Sequence, residues 1–255
     1  MVLFFVFKAQ FFSFSLKEYP RFDFIYFKTP IFNPMITNHT IDFLSNLQEN
    51  NNRNWFEKHK EDYLKTKKEI EHLVCKVEEN LNQTDVIEHS KLYRIYRDVR
   101  FSKNKLPYKD YFGGYFRRFG NNRRGSYTFD ITPKGASVGG GFFGPNSDDL
   151  LRIRKEFEMD SQYIKQIVED PNFIQFFGKL QGKGLKTAPR GFDKKHPNIE
   201  WIRMKQFCAF KNFTVQEVVR PDFSDQMTET FLAIRPFFDY MTEVLTTDMN
   251  GVSIL

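Results

Sequence analysis

Cysteine is scarce: Cys75 and Cys208 are the only two in 255 residues. Two thiols cannot build the disulfide framework of a small secreted domain or a four-cysteine zinc site, and they fit a reducing compartment. The histidines are scattered at His39, His59, His72, His89 and His196; His72 and Cys75 share a helix face, but two ligands do not hold a metal. No apolar run reaches the ~18 residues of a membrane-spanning helix. Also missing are the Gly-Lys-Ser/Thr ending of a phosphate-binding loop, the G-x-S-x-G nucleophile elbow, and the carboxylate trio that two-metal phosphoryl chemistry needs. The expectation is a cytoplasmic chain with no metal, no cofactor and no membrane partner; these absences leave its oligomeric state and any reaction open.

Hydrophobic residues make up 40% of the chain and charged residues 27%, the balance of a globular protein. The length suits one large domain or two small ones. Residues 1–34 stand apart, because they hold 10 of the 31 phenylalanines in clumps without helical or strand period. Pro20, Pro30 and Pro34 interrupt them further, and Lys8 breaks the apolar stretch that a signal peptide would keep whole. The composition predicts that residues 1–34 lie outside the fold, with Met35 as the start, and that residues 35–255 form one α+β domain.

Within that domain the spacing predicts a helix from Thr40 to Leu47, stopped by Asn50-Asn51-Asn52, and a long one from Asn54 to Asn82 with Asn54 and Glu57 as a capping box. Alternation then predicts strands over Arg94–Phe101, Tyr111–Arg117 and Ser126–Thr132, the last turned by Pro133-Lys134-Gly135 into a hairpin with Ala136–Phe143. Nine of the fourteen glycines fall between Gly113 and Gly144, marking turns and close backbone approaches. Helices return at Ser147–Glu158, Ser161–Glu169 and from Asp170 to Phe177, followed by a loop over Gly182–Pro197 and a strand over Met204–Phe210. A C-terminal helix carries Met227, Phe231, Ile234, Phe238, Met241 and Leu245 on one face, with Pro236 set to kink or split it. The pattern is a mostly antiparallel, glycine-rich sheet packed by N- and C-terminal helices, an α+β fold.

The net charge of +6 is concentrated in one segment. Between Arg94 and Arg124 there are ten basic and two acidic residues, interleaved with Tyr96, Phe101, Tyr108, Tyr111, Phe112, Tyr115 and Phe116. Guanidinium forks match phosphate and carboxylate, and aromatic rings among cations suit nucleotide or single-stranded nucleic acid. Arg97 falls on an otherwise apolar face, where its charge needs a carboxylate or a bound anion. A second basic stretch, Lys186 to Arg220, contains Pro189-Arg190-Gly191-Phe192 and His196-Pro197.

The run Arg94-Ile-Tyr-Arg-Asp-Val-Arg-Phe-Ser-Lys-Asn-Lys-Leu-Pro-Tyr-Lys109 resembles the signature of the conserved hypothetical proteins grouped as domain of unknown function 2461, met in bacteria and some fungi. Asn54-Trp55-Phe56, Gly139-Gly140-Gly141, Pro189-Arg190-Gly191-Phe192 and His196-Pro197 follow that pattern in order, from about Ile41 to Leu245. Leu106 departs from it where similar sequences often have Thr. The resemblance implies a family-sized domain that begins near Met35, and it brings no activity with it.

Three readings follow. In the first, Arg94, Arg97, Arg100, Lys103 and Lys109 line a pocket for a phosphate- or carboxylate-bearing small molecule, with Arg190, His196 and Lys205 opposite. Asp98 or His196 would then move protons if the protein is an enzyme. In the second, the same strip binds nucleic acid. In the third, the basic surface meets an acidic protein partner.

Overall fold

A computed structural model describes residues 35–248 and 251–255, so the expectation for residues 1–34 lies outside the described residues. Helix α1, Asn38–Glu49, buries Ile41, Phe43, Leu44 and Leu47 at helical spacing. Its first turn is met by the Glu69 carboxylate, which accepts from the Thr37 amide at 3.0 Å and the Thr40 hydroxyl at 2.7 Å, an anion at the positive end of a helix. The long helix expected from Asn54 is broken in two. Asn52 rather than Asn54 is the cap, its side chain accepting from the Trp55 amide, and α2 spans only Arg53–Lys58. His59 leaves helical geometry, packs its ring on Trp55 with centroids 4.0 Å apart and places Nδ1 2.8 Å from the Trp55 carbonyl. The chain then resumes as α3, Lys60–Leu81.

Five strands form one antiparallel sheet in chain order: β1 Ile87–Leu92, β2 Phe112–Arg118, β3 Ser126–Thr132, β4 Gly135–Phe142 and β5 Phe207–Phe213. Between β4 and β5 come α4 Ser147–Met159, α5 Gln162–Glu169, α6 Pro171–Phe177 and the short α7 Ile199–Ile202. After β5 follow α8 Val215–Val218, α9 Phe223–Ala233 and α10 Arg235–Thr246. Pro236 does split the C-terminal pattern, with Ile234 at the junction between α9 and α10.

The strand expected over Arg94–Phe101 is not a strand. The last sheet hydrogen bond on this side is Tyr93 N–H to the Gly113 carbonyl, 2.8 Å, after which the chain leaves β1. Ile95 is buried as its alternation implied, but no neighbouring strand is there to pair with it. The segment instead folds back on itself through Arg97 N–H to the Pro107 carbonyl, 2.9 Å, and Lys109 N–H to the Ile95 carbonyl, 2.7 Å. The edge strand β1 had no legible signal, since Ile-Glu-His-Ser-Lys-Leu shows little apolar alternation, and the last strand starts three residues later than its pattern suggests.

Alternation divides the sheet into two faces. Phe116, Tyr127, Phe129 and Phe142 point to the helices, where Tyr127 meets Phe231 and Phe238 at 5.1 Å and Phe116 meets Phe231 at 5.7 Å. Burial of this aromatic layer is the main stabilising term for the domain. The opposite face carries Gly113, Tyr115, Thr128, Asp130, Ser137 and Gly139. A Cβ on Gly139 would stand 1.9 Å from the Ala209 carbonyl oxygen, so this glycine lets β4 and β5 close up. Among the described residues no helix is long and apolar enough to cross a membrane, and no group of three His, Cys, Asp or Glu could hold a metal ion.

Candidate functional site: the flap and the open sheet face

The segment from Tyr93 to Tyr111 forms a flap over one edge of the sheet. Asn51, at the end of α1, clamps it twice: its side-chain N–H donates to the Tyr108 carbonyl at 3.1 Å, and its side-chain oxygen accepts from the Tyr108 amide at 3.1 Å. The Tyr108 ring stacks on Phe56 with centroids 4.0 Å apart, and Phe56 also touches Tyr96 edge-on at 5.7 Å. With Ile95 and Tyr108 buried, the base of the flap is fixed and its basic residues occupy defined places.

Lys109 is the centre of the group. Its Nζ lies 5.0 Å from the Tyr93 ring centroid and 5.8 Å from that of Tyr111, cation over aromatic face in both cases. Burial, then Arg94 and Arg97, push its pKa down. The side chains of Arg94, Arg97 and Lys109 form no ion pair with any described residue. Three cations are thus held near one another, none of them in an ion pair among the described residues, an arrangement that an anion would relieve.

Asp130 faces this group from β3. It pairs in register with Gly113 of β2, and a Cβ on Gly113 would stand 2.1 Å from the Asp130 Oδ1 and 3.2 Å from the Tyr111 ring. The absent side chain is what lets the carboxylate lie across β2. Asp130 is exposed by area, yet desolvation pushes its carboxyl up to about 6, with Lys109 pulling the other way. The Tyr111 ring and the β2 backbone crowd the carboxylate over Gly113 while leaving it open to solvent, which accounts for both observations. It has no hydrogen bond or ion pair among the described residues. The phenols of Tyr93 and Tyr111 are also raised, first by burial and in part by the Asp130 charge. Farther along, Tyr115 holds the His89 ring, Nε2 to hydroxyl 3.1 Å.

The other residues singled out from sequence lie elsewhere. Arg100 and Asp98 pair with each other, Nε to Oδ1 at 3.0 Å and Nη2 to Oδ2 at 2.7 Å, both in solvent. The Arg100 hydrogen bonds hold the Asp98 carboxyl below the usual carboxylate range, so it stays charged near neutrality. Lys103 is exposed near the flap tip, beside Phe101, whose side chain is 96% exposed. The expected convergence with the second basic stretch is not what the topology gives. Lys205 precedes β5 at the end where Phe207 pairs with Phe142, whereas Lys109 precedes β2 at the end where Phe112 pairs with Ile131. These are opposite corners, separated by three strand spacings (~14 Å) across and about 20 Å along. Arg190 and His196 stay with that far corner: Phe192 lies under Lys155 of α4 at 4.9 Å, and His196 Nδ1 accepts from the Asn198 amide at 3.1 Å within its own turn.

Sequence reasoning missed Asp130, Asn51 and Tyr93. Asp130 was legible as the acid on the wet side of Ser126–Thr132; Asn51 was legible only as a helix stop.

A family model described as conserved hypothetical protein (DUF2461) matches residues 39–240. No curated protein and no solved structure matches the chain.

Proposed function

Because the chain belongs to the conserved hypothetical protein family DUF2461, whose description names no activity, we propose a function from the geometry: the open sheet face under the flap binds a small molecule that carries a phosphate or carboxylate beside a planar ring. Arg94, Arg97 and Lys109 take the anionic group, while Tyr93 and Tyr111 offer the ring a stacking surface. The observation that carries this reading is the position of Lys109 over the Tyr93 and Tyr111 rings, crowded by Arg94 and Arg97, with Asp130 as the carboxylate that faces it. Asp130, its carboxyl pushed up to about 6, is able to take up or release a proton near neutrality and is the acid–base group nearest the Lys109 cluster. A reducing, cytoplasmic setting suits the two free thiols, Cys75 and Cys208.

Thermal unfolding with adenosine monophosphate as a ring-bearing anion tests the reading. Wild type is expected to be stabilised, and Arg97→Gln with Lys109→Met to lose that gain while melting normally without ligand. Equal gains in both proteins would refute the assignment.

One observation favours nucleic acid as a second reading: Phe101 stands almost wholly in solvent on a basic loop, with the Arg100 guanidinium 5.9 Å from its ring centroid. Binding of single-stranded oligonucleotide that weakens steeply with salt and is lost in Phe101→Ala would support it; salt-independent binding, or none, would remove it.

A further inference from the structure

The helix-packed side of the sheet holds a second group of arginines. Arg118 ends β2, Arg123 lies in the β2–β3 turn and Arg235 opens α10; all three line a cavity of about 320 Å3 whose walls are otherwise Asp85, Asp239 and uncharged polar side chains. Asp85 is saturated. It accepts from Arg118 Nε at 2.8 Å, Arg123 Nη1 at 3.0 Å, the Tyr127 hydroxyl at 2.8 Å and the Val86 amide at 2.8 Å. Arg118 also donates through Nη2 to Asp239 at 2.7 Å and through Nη1 to the Arg124 carbonyl at 3.2 Å.

Three guanidinium groups therefore face two carboxylates, leaving one positive charge in excess. The surplus falls on Arg123 and Arg235. Arg123 is 38% exposed and holds Asp85 by a single nitrogen. Arg235 donates through Nη1 to the Thr84 carbonyl and hydroxyl, both at 2.9 Å, and through Nε to the Tyr127 hydroxyl at 3.3 Å, with Asp85 Oδ2 3.9 Å from that nitrogen, but its Nη2 is buried with no hydrogen-bond partner among the described residues. A buried guanidinium N–H left unpaired is unfavourable, and a polar cavity with surplus positive charge is where an oxyanion would satisfy it.

We propose that this cavity is a second anion site, independent of the flap, that takes a tetrahedral oxyanion between Arg123 and Arg235. Its ligand is a phosphate or sulfate group, free or borne on a small molecule, and its fork donors suit tetrahedral oxygens better than a point charge would.

Calorimetric titration of the full chain at constant ionic strength tests this, with inorganic phosphate and glycerol 3-phosphate as parallel probes. Lys109→Met, which removes the flap cation, is expected to keep phosphate binding. Arg123→Gln is expected to weaken it by about tenfold or more, the loss of a charge-assisted hydrogen bond. Arg235→Lys, which keeps the charge and removes the fork, is expected to fall between the two. Tighter binding of phosphate assigns the free ion; tighter binding of the ester assigns a phosphorylated metabolite. Unchanged affinity in Arg123→Gln, or loss in Lys109→Met alone, would overturn the proposal. Should Arg235→Lys fail to fold, the half-exposed Arg123 variant still decides. The flap reading stands or falls separately, on the response of Lys109→Met to the ring-bearing anion.

Discussion

Arginines gather on both faces of the sheet, but they are compensated differently. On the helix side, Arg118 and its neighbours converge on Asp85, whose side chain is 2% exposed and accepts from both Arg118 and Arg123. On the flap side, Arg94, Arg97 and Lys109 crowd together without an ion pair among the described residues, and Asp130 is the carboxylate that faces them. The first arrangement ties β2 and β3 to α10 and specifies how the helices seat. The second adds like-charge repulsion, which the Tyr93 and Tyr111 rings and the Asp130 charge offset only in part. Positive charge in excess of its internal compensation points outward, to an anion, as Arg123 and the flap cations do; positive charge that is balanced, as at Arg118, points inward, to architecture.

Breaking the helix-side group should have the largest effect. Asp85→Asn removes one partner of a buried network and is expected to cost about 3–5 kcal/mol in denaturant unfolding. Burial alone would raise the Asp85 carboxyl, but the Tyr127 and Val86 hydrogen bonds with Arg118 and Arg235 outweigh it and hold the pKa below its ordinary value. Its contribution is therefore present above the unfolded-state value and lost as pH falls through the lower folded value, so wild type should lose its advantage over Asp85→Asn in acid.

Gly113→Ala should act next. The new Cβ would collide with the Asp130 carboxylate, displacing it and costing about 1–3 kcal/mol if β2 has to shift. The Asp130 pKa, read by carboxyl chemical shift, should move down from about 6 toward its ordinary value.

Asp130→Asn is expected to be milder and of opposite sign. The folded pKa is raised, so the folded protein holds this proton more tightly than the unfolded chain; wild type loses that stability as pH rises from the ordinary value through about 6. Solvent access discounts the gain of the variant to on the order of 1 kcal/mol above this window, with none below it. With an aryl sulfonate, whose own charge is constant, wild-type affinity should rise as pH falls through that window and the Asp130→Asn affinity should not. Arg100→Gln should be the smallest effect, leaving the melting temperature unchanged, because its pair with Asp98 lies in solvent. A clear loss there would mean that the flap tip is structural and the contrast between the faces less sharp.

Local chemistry made much of the fold legible. Ser126–Thr132 alternates cleanly, Asp170-Pro171 starts α6 and Gly178 ends it, and Pro236 splits α9 from α10, each where a residue type forces the backbone. Arg94–Phe101 misled because alternation reports which side chains turn inward, as Ile95 does, but not whether a neighbouring strand is present to accept the hydrogen bonds. The site was half legible for the same reason. Arg94, Arg97 and Lys109 are joined by a flap of short sequence span, whereas Asp130 reaches them only through the β2–β3 register, and Lys205 is kept away by two intervening strands, β3 and β4, that no local pattern counts.

The most direct test is the shift in unfolding temperature that adenosine monophosphate gives to wild type and to the Arg97→Gln, Lys109→Met double variant at matched ionic strength. The expected result is stabilisation of wild type by a few degrees, none in the double variant, and equal or slightly higher ligand-free stability in the variant because repulsion is relieved. Equal shifts in the two proteins, or a double variant that unfolds without ligand at a much lower temperature, would show that these cations serve the fold and not a ligand.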